Sequence, residues 1–393
     1  MTLRRSLLAL ATAAALAASA CDDGATSSSL PANASEAIST YAKIVHATYE
    51  DTLAAASALK SSTDALIATP SEATMTAARA AWRASREPYL QSEVFRFYDG
   101  PIDNPDDGPE GLLNAWPLDE AYIDYVTGDA TAGIINGTTP IDAAALESLN
   151  EQGGEENIAT GYHAIEFLLW GQDLSDSGPG ERPFTDFATD SAATAPNPNR
   201  RATYLDVVAT MLVGHLDGLA AAWAPGSTSN YRAEFEAARP EEAIRRILTG
   251  MIVLSGFETG GERLQTALDS GDQEDEHSCF SDNTHRDMVQ DVQGIYNVWH
   301  GSYQRTDGST VTGVGLRDVI VLVDSALSAQ IDARIDESLA LAKALQPPFD
   351  QEIAIGNAAG RARVQALVTS LRLQEQVLQA LFRKLGLTIP TPE

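Results

Sequence analysis

The chain has 393 residues and a formal net charge of −29. That balance argues against nucleic acid and anionic lipid headgroups as partners, since both need basic surface. A phosphate loop, a dinucleotide fingerprint and a Gly-x-Ser-x-Gly elbow are all absent, so those chemistries find no support.

The N-terminus reads as an export leader. Arg4 and Arg5 form a basic region, Leu7 to Ala18 is an apolar run too short for a permanent span, and Ala18-Ser19-Ala20-Cys21 places small residues before a cysteine. This is the pattern of a bacterial lipoprotein signal over residues 1–20, with Cys21 as the lipidated first residue and residues 21–34 as a polar tether. No later segment is expected to be long and apolar enough to cross a membrane. With Cys21 lipidated, Cys279 is the only remaining thiol and no internal disulfide can form.

Residues 35–68 carry Ile38, Tyr41, Val45, Tyr49, Leu53, Leu59 and Leu66 at helical spacing. Ser71 can cap a second helix from Glu72 to Tyr98, with Trp82, Arg86, Tyr89, Glu93 and Phe97, which Pro88 should kink or divide. Asp99 to Gly111 is rich in acid, Pro and Gly. An EF-hand frame starting at Asp103 puts Pro105 third, where an oxygen side chain is required, and Asn114 twelfth, where a bidentate acid is required, so a solvated acidic turn is expected. Short helices are predicted near Asp119 and over 141–149, and a longer one over 155–170. An irregular excursion covers 173–199, and a helix covers 200–223. Four helices follow: one from Pro240 to Leu268 with four glycines that permit close backbone approach, one ending near His300, one over 316–345, and a last one through Leu385. No alternating strand run is evident. The chain reads as all-α, with a less regular helical domain over 35–230 and a four-helix bundle over 240–393.

The stretch Gly161-Tyr162-His163-Ala164-Ile165-Glu166-Phe167-Leu168-Leu169-Trp170-Gly171 stands out. His163 and Glu166 lie three residues apart, so a helix points both the same way, on a face otherwise apolar. Burying them costs free energy unless they bind each other or a third group. Helical zinc hydrolases use two histidines around a glutamate, and the second histidine is missing here, because Phe167 follows Glu166. Any metal would need ligands from other helices, with Glu93, Asp119, His215 and His285 as candidates. A second polar cluster spans Glu274 to Asp287, with His277, Cys279 and His285, of which His285 is the preferred candidate. A capped helix start is the plain alternative, with Ser281 or Asp282 as cap.

The Gly161–Gly171 stretch resembles the Gly-x-His-x-x-Glu signature of the imelysin family. Ser278-Cys279-Phe280-Ser281-Asp282-Asn283-Thr284-His285 is similar to its iron-regulated protein A branch, as are the Trp116-Pro117-Leu118-Asp119 turn and the Trp82–Phe97 helix. The resemblance implies two helical domains sharing a site, in an exported or lipid-anchored protein of iron uptake. By that analogy His163, Glu166, Glu93 and Asp119 are metal candidates, with Arg86 contacting ligand; His285, from the second polar cluster, is a further ligand-contact candidate. The implied function is binding iron, or an iron-containing ligand, at the domain interface. The alternative is a zinc metallopeptidase using His163 and Glu166. The implied partners are a membrane, through lipid on Cys21, and iron-uptake machinery. The implied location is the cell envelope facing the periplasm, with the outer membrane favoured over the inner.

Overall fold

The computed structural model describes residues 30–175 and 177–387. The leader, Cys21 and most of the expected tether lie outside the described residues. The described chain is all-α apart from one small hairpin.

The first helix, Ala34–Ala68, buries the predicted stripe, including Ile38, Tyr41, Val45, Tyr49, Leu59 and Leu66. It packs against the second helix and against Pro198–Ala222. Ser71 caps the second helix reciprocally: its hydroxyl accepts the Thr74 amide (3.2 Å), and its own amide donates to the Thr74 hydroxyl (3.0 Å). That helix ends at Gln91 instead of running to Tyr98. Pro88 sits within its last turn, and a tight turn over Glu93–Phe95 follows.

The expected acidic turn after Tyr98 is solvated in part. Asp106 and Asp107 are exposed, whereas Asp103 turns inward and accepts the amides of Phe97, Tyr98 and Gly100. Pro198–Ala222 is long and apolar enough to cross a membrane, contrary to expectation. In this fold it packs between the first helix and the Gly161–Trp170 helix, burying Tyr204, Leu205, Val208, Leu212 and Leu216.

The C-terminal half holds four helical rods: Pro240 to Ser270, Thr284–His300, Leu316 to Ala342, and Ala358–Lys384. The first rod widens to π-helical winding over Val253–Gln265. The third is interrupted at Asp324, whose carboxylate accepts the Leu327 amide and restarts the helix. A hairpin lies between the second and third rods, pairing Ser302–Gln304 with Thr310–Thr312. It is pinned to the first helix because Tyr303 Oη and Arg305 donate to the buried Asp51 (2.8 Å each).

Two apolar cores result. The larger joins both halves, from Ile38 and Trp82 through Tyr162 and Leu212 to Ile247, Trp299 and Leu378. The smaller lies among the C-terminal rods around Leu264, Met288, Phe349 and Leu371. Thr284–His300 also packs on the second helix, so polar residues from distant parts of the chain meet there.

Candidate functional site

All ten residues of the Gly161–Trp170 helix are buried. Its first residue must be glycine for two reasons. Gly161 has φ +82°, and a Cβ there would stand 2.5 Å from the Leu113 carbonyl oxygen. That approach seats the helix under the 110–116 segment and aims His163 and Glu166 at the segment before the Thr284 helix.

His163 Nδ1 and Glu166 Oε2 stand 2.9 Å apart. The Ser281 amide and hydroxyl donate to Glu166 Oε1 (3.0 and 2.6 Å). Ser281 therefore holds the signature carboxyl and does not cap the following helix. Burial pushes Glu166 up to about 8. Burial, reinforced by the nearby Arg86 guanidinium, holds His163 well below the usual imidazole range. His163 Nε2 is buried without a partner.

A second histidine–carboxylate pair lies beside the first. His277 Nδ1 is 2.8 Å from Asp287 Oδ2, and the rings of His163 and His277 have centroids 5.0 Å apart. Asp287 is fully buried yet ionised. Burial works against its charge, but Arg86 (3.3 Å), His277 and the Ser278 hydroxyl (2.5 Å) outweigh it and hold it well below the usual carboxylate range. The Asn283 side-chain amide donates to its other oxygen (3.0 Å). Because Asp287 is ionised, it accepts the His277 Nδ1 proton, which leaves Nε2 as a lone-pair acceptor. This is the arrangement by which carboxylates orient metal-binding imidazoles. Arg86 also donates to Asn114 Oδ1 (2.5 Å), and the Asn114 side-chain nitrogen is buried without a partner.

Of the four side chains in the two pairs, His277 lines a cleft of 480 Å³. Asn114, Trp116 and His277 lie on its wall, and Glu110, Glu151, Glu155, Glu258 and Glu262 surround it. The Trp116 ring stands edge-on to His277, its centroid 5.7 Å away, and its indole nitrogen donates to the Glu276 carbonyl (2.7 Å). The π-helical winding brings Glu258, Glu262 and Arg263 to this cleft. A larger cavity of 640 Å³ under the Gly171–Pro183 loop contains neither histidine. Its Arg182 is committed to Asp124 (2.7 Å) and Asp186 (3.2 Å).

A model of the imelysin family, described as peptidase M75, matches residues 45–378. The chain belongs to the imelysin family. A curated relative, iron-regulated protein A of Synechococcus elongatus, is 24% identical over 320 residues, covering 79% of this chain and 76% of the relative. Two crystal structures share the fold. One, described as an iron-regulated protein A precursor from Parabacteroides distasonis, has a TM-score of 0.67 at 20% identity, covering 91% of this chain and 97% of the other. The other, an imelysin-like protein from Psychrobacter arcticum, has a TM-score of 0.62 at 12% identity, covering 91% and 98%.

Of the residues singled out in this imelysin-family sequence, His163, Glu166 and Arg86 come together. Glu93 lies nearby in an arginine network: its Oε2 accepts from Arg96 (2.6 Å) and Arg263 (2.5 Å). Burial opposes its charge, but the two guanidinium groups bring it down to about 2. Asp119 is exposed, and its carboxylate accepts the Ala121 amide (2.9 Å) at the start of a short helix. His285 is half-buried, with Nδ1 3.2 Å from the Asp282 carbonyl, and it lines a different cleft with Arg83 and Arg286. His277, Ser281 and Asp287 take the places that the sequence reading offered to other residues. The available signal was spacing. Thr284–His300 begins with Asp287 in its first turn, which faces back over the segment carrying His277.

Among the described residues no group of three or more His, Cys, Asp or Glu side chains is placed to hold one metal ion. Zinc hydrolysis needs three protein ligands and an open position. The residues present do not supply that set, and Glu166 is engaged by His163 and Ser281.

Proposed function

We propose that this imelysin-family chain is a non-catalytic binding protein of the cell envelope, anchored through lipid on Cys21 and facing the periplasm. Its cargo is an iron-containing ligand that it presents to iron-uptake machinery. The observation that carries this reading is the His277 imidazole on the wall of the Trp116 cleft with the His163 ring 5.0 Å from it, each oriented through Nδ1 by a carboxyl group.

Two imidazoles are too few to chelate bare iron, so the cargo brings most of its own donors. The rim carries five glutamates beside Arg96 and Arg263, so it presents both signs of charge to a chelated metal, and its acidic excess disfavours the free anionic chelator. Two relatives named iron-regulated protein A support iron as the metal. The leader pattern at Arg4 to Cys21 supports the envelope location.

The test is calorimetric titration of the purified chain with ferric citrate, citrate alone, ferric ion and zinc. Saturable binding of chelated iron that is lost in both His277→Ala and His163→Ala, with helical content retained, supports the reading. Failure of the unmodified chain to bind any iron form refutes it. Zinc-dependent cleavage of a denatured protein, abolished in Glu166→Gln, would favour the peptidase instead.

A further inference from the structure

The larger cavity, under the Gly171–Pro183 loop, is separate from the histidine site. Its 640 Å³ falls in the range of about 300–1,000 Å³ usual for small-molecule sites. Hydrogen bonds join the segments that form it. The Arg182 amide donates to the Trp170 carbonyl (2.7 Å), and the Thr127 amide donates to Gln172 Oε1 (2.6 Å). Tyr125, Val126 and Trp170 give the cavity apolar wall.

Two buried side chains of opposite charge also line it, and each has an unused polar atom. Arg182 is 5% exposed. Its Nη1 is held by Asp124 and Asp186, but its Nε is buried without a partner. A guanidinium does not give up its protons, so Nε is a fixed donor. Gly171 lies against it at φ +71°. A Cβ there would stand 3.2 Å from Arg182 Cβ and 3.5 Å from Nε, so glycine keeps room that another residue would fill. Asp173 is 2% exposed. Its Oδ1 accepts the Ser175 amide (2.9 Å), and its Oδ2 is buried without a partner. Two residues of chain span at most about 7 Å, so the nitrogen beside Gly171 and the carboxyl group of Asp173 are within reach of one small molecule.

The two needs differ. Arg182 Nε lacks an acceptor. Asp173 lacks a donor, and a positively charged one suits it, because burial pushes it up to about 6 and the charges acting on it, Asp350 and Glu274, are both negative. Leaving either buried atom unpaired is costly. A metal ion would answer only the second need, and among the described residues the acidic side chains are not grouped to hold one. A molecule with an ammonium and a carboxylate answers both.

We propose that this cavity binds a small zwitterion, a free amino acid with an apolar side chain. Its carboxylate accepts from Arg182 Nε, its ammonium donates to Asp173 Oδ2, and its side chain lies against Trp170, Tyr125 and Val126. The site is independent of the iron-ligand reading and stands or falls without it.

The test titrates the purified chain with L-leucine and L-phenylalanine by thermal unfolding and calorimetry. At least one should bind saturably at a single site and raise Tm. The N-acetyl and the amide derivatives of the binding amino acid each lack one charge. Each should bind at least about tenfold more weakly, the loss expected for one hydrogen bond to a charged group. Asp173→Asn keeps an acceptor for the Ser175 amide, and Arg182→Lys keeps a cation for Asp124 and Asp186. Each should weaken binding at least about tenfold with helical content retained, whereas His277→Ala should leave it unchanged. Absence of saturable binding of either amino acid up to about 10 mM, ten times a weak Kd of about 1 mM, overturns the proposal. So does undiminished binding of both derivatives, or binding that both cavity variants retain in full.

Discussion

Replacing Asp287 with asparagine tests the electrostatic account of the histidine site. Asp287 is fully buried and accepts from four donors: His277 Nδ1, the Ser278 hydroxyl, the Asn283 side chain and Arg86. Asparagine keeps the shape but replaces one acceptor oxygen with a donor, and it leaves the Arg86 guanidinium buried without an anion. Breaking one side of such a buried pair costs about 3–5 kcal/mol. Urea unfolding followed by circular dichroism measures the loss. The pH dependence has a definite sign. The folded pKa of Asp287 is depressed, so its stabilisation is present above the unfolded value of about 3.9 and is lost as pH falls from there through the folded value. In Asp287→Asn that acid limb should flatten. Arg86→Met removes the other charge. The double variant should be less destabilised than the sum of the singles by about 1 kcal/mol or more, within the usual range for contacting residues. A single variant within about 0.5 kcal/mol of the unmodified chain, or a cycle additive to about 0.5 kcal/mol, would refute the reasoning.

Further outcomes follow from the same geometry. Burial raises Glu166 to about 8, so its contribution to stability is complete below the unfolded value of about 4.3 and lost as pH rises towards 8. Glu166→Gln should remove that decline when Tm is measured from pH 5 to 9. Gly161→Ala combines a left-handed backbone with a clash against the Leu113 carbonyl. It should lose at least about 1–3 kcal/mol in urea unfolding, more than an exposed helical Gly→Ala change, which usually stabilises. His285→Ala should leave ferric citrate affinity unchanged by calorimetry, because His285 faces a different cleft from His277.

Most of the helical architecture was legible because apolar spacing at three and four residues reports a buried helix face directly. The first helix and the last rod follow their stripes. The misses have local causes. The Ser302–Thr312 hairpin is too short for alternation to register, and its stability comes from Asp51 on a distant helix. The helix predicted from residue 155 begins at Gly161, where the backbone turns through a positive φ. Asp324 restarts a helix that its apolar stripe made look continuous. Pro198–Ala222 is apolar enough to suggest a membrane span, and only its neighbours reveal a packed helix.

By itself the sequence determined the His163–Glu166 pair, since three-residue spacing on one helix is fixed by local geometry. It also determined the imelysin signature that both residues carry. Only tertiary structure decided what the pair faces. Ser281, His277 and Asp287 lie more than a hundred residues away and reach the site because Thr284–His300 packs on the second helix. The same packing turned Glu93 toward Arg96 and Arg263, left Asp119 on the surface, and put His285 in a different cleft from His277. Sequence spacing sets which side chains share a helix face. Which faces meet is set by burial of the apolar core, and the partners of each polar group follow from that.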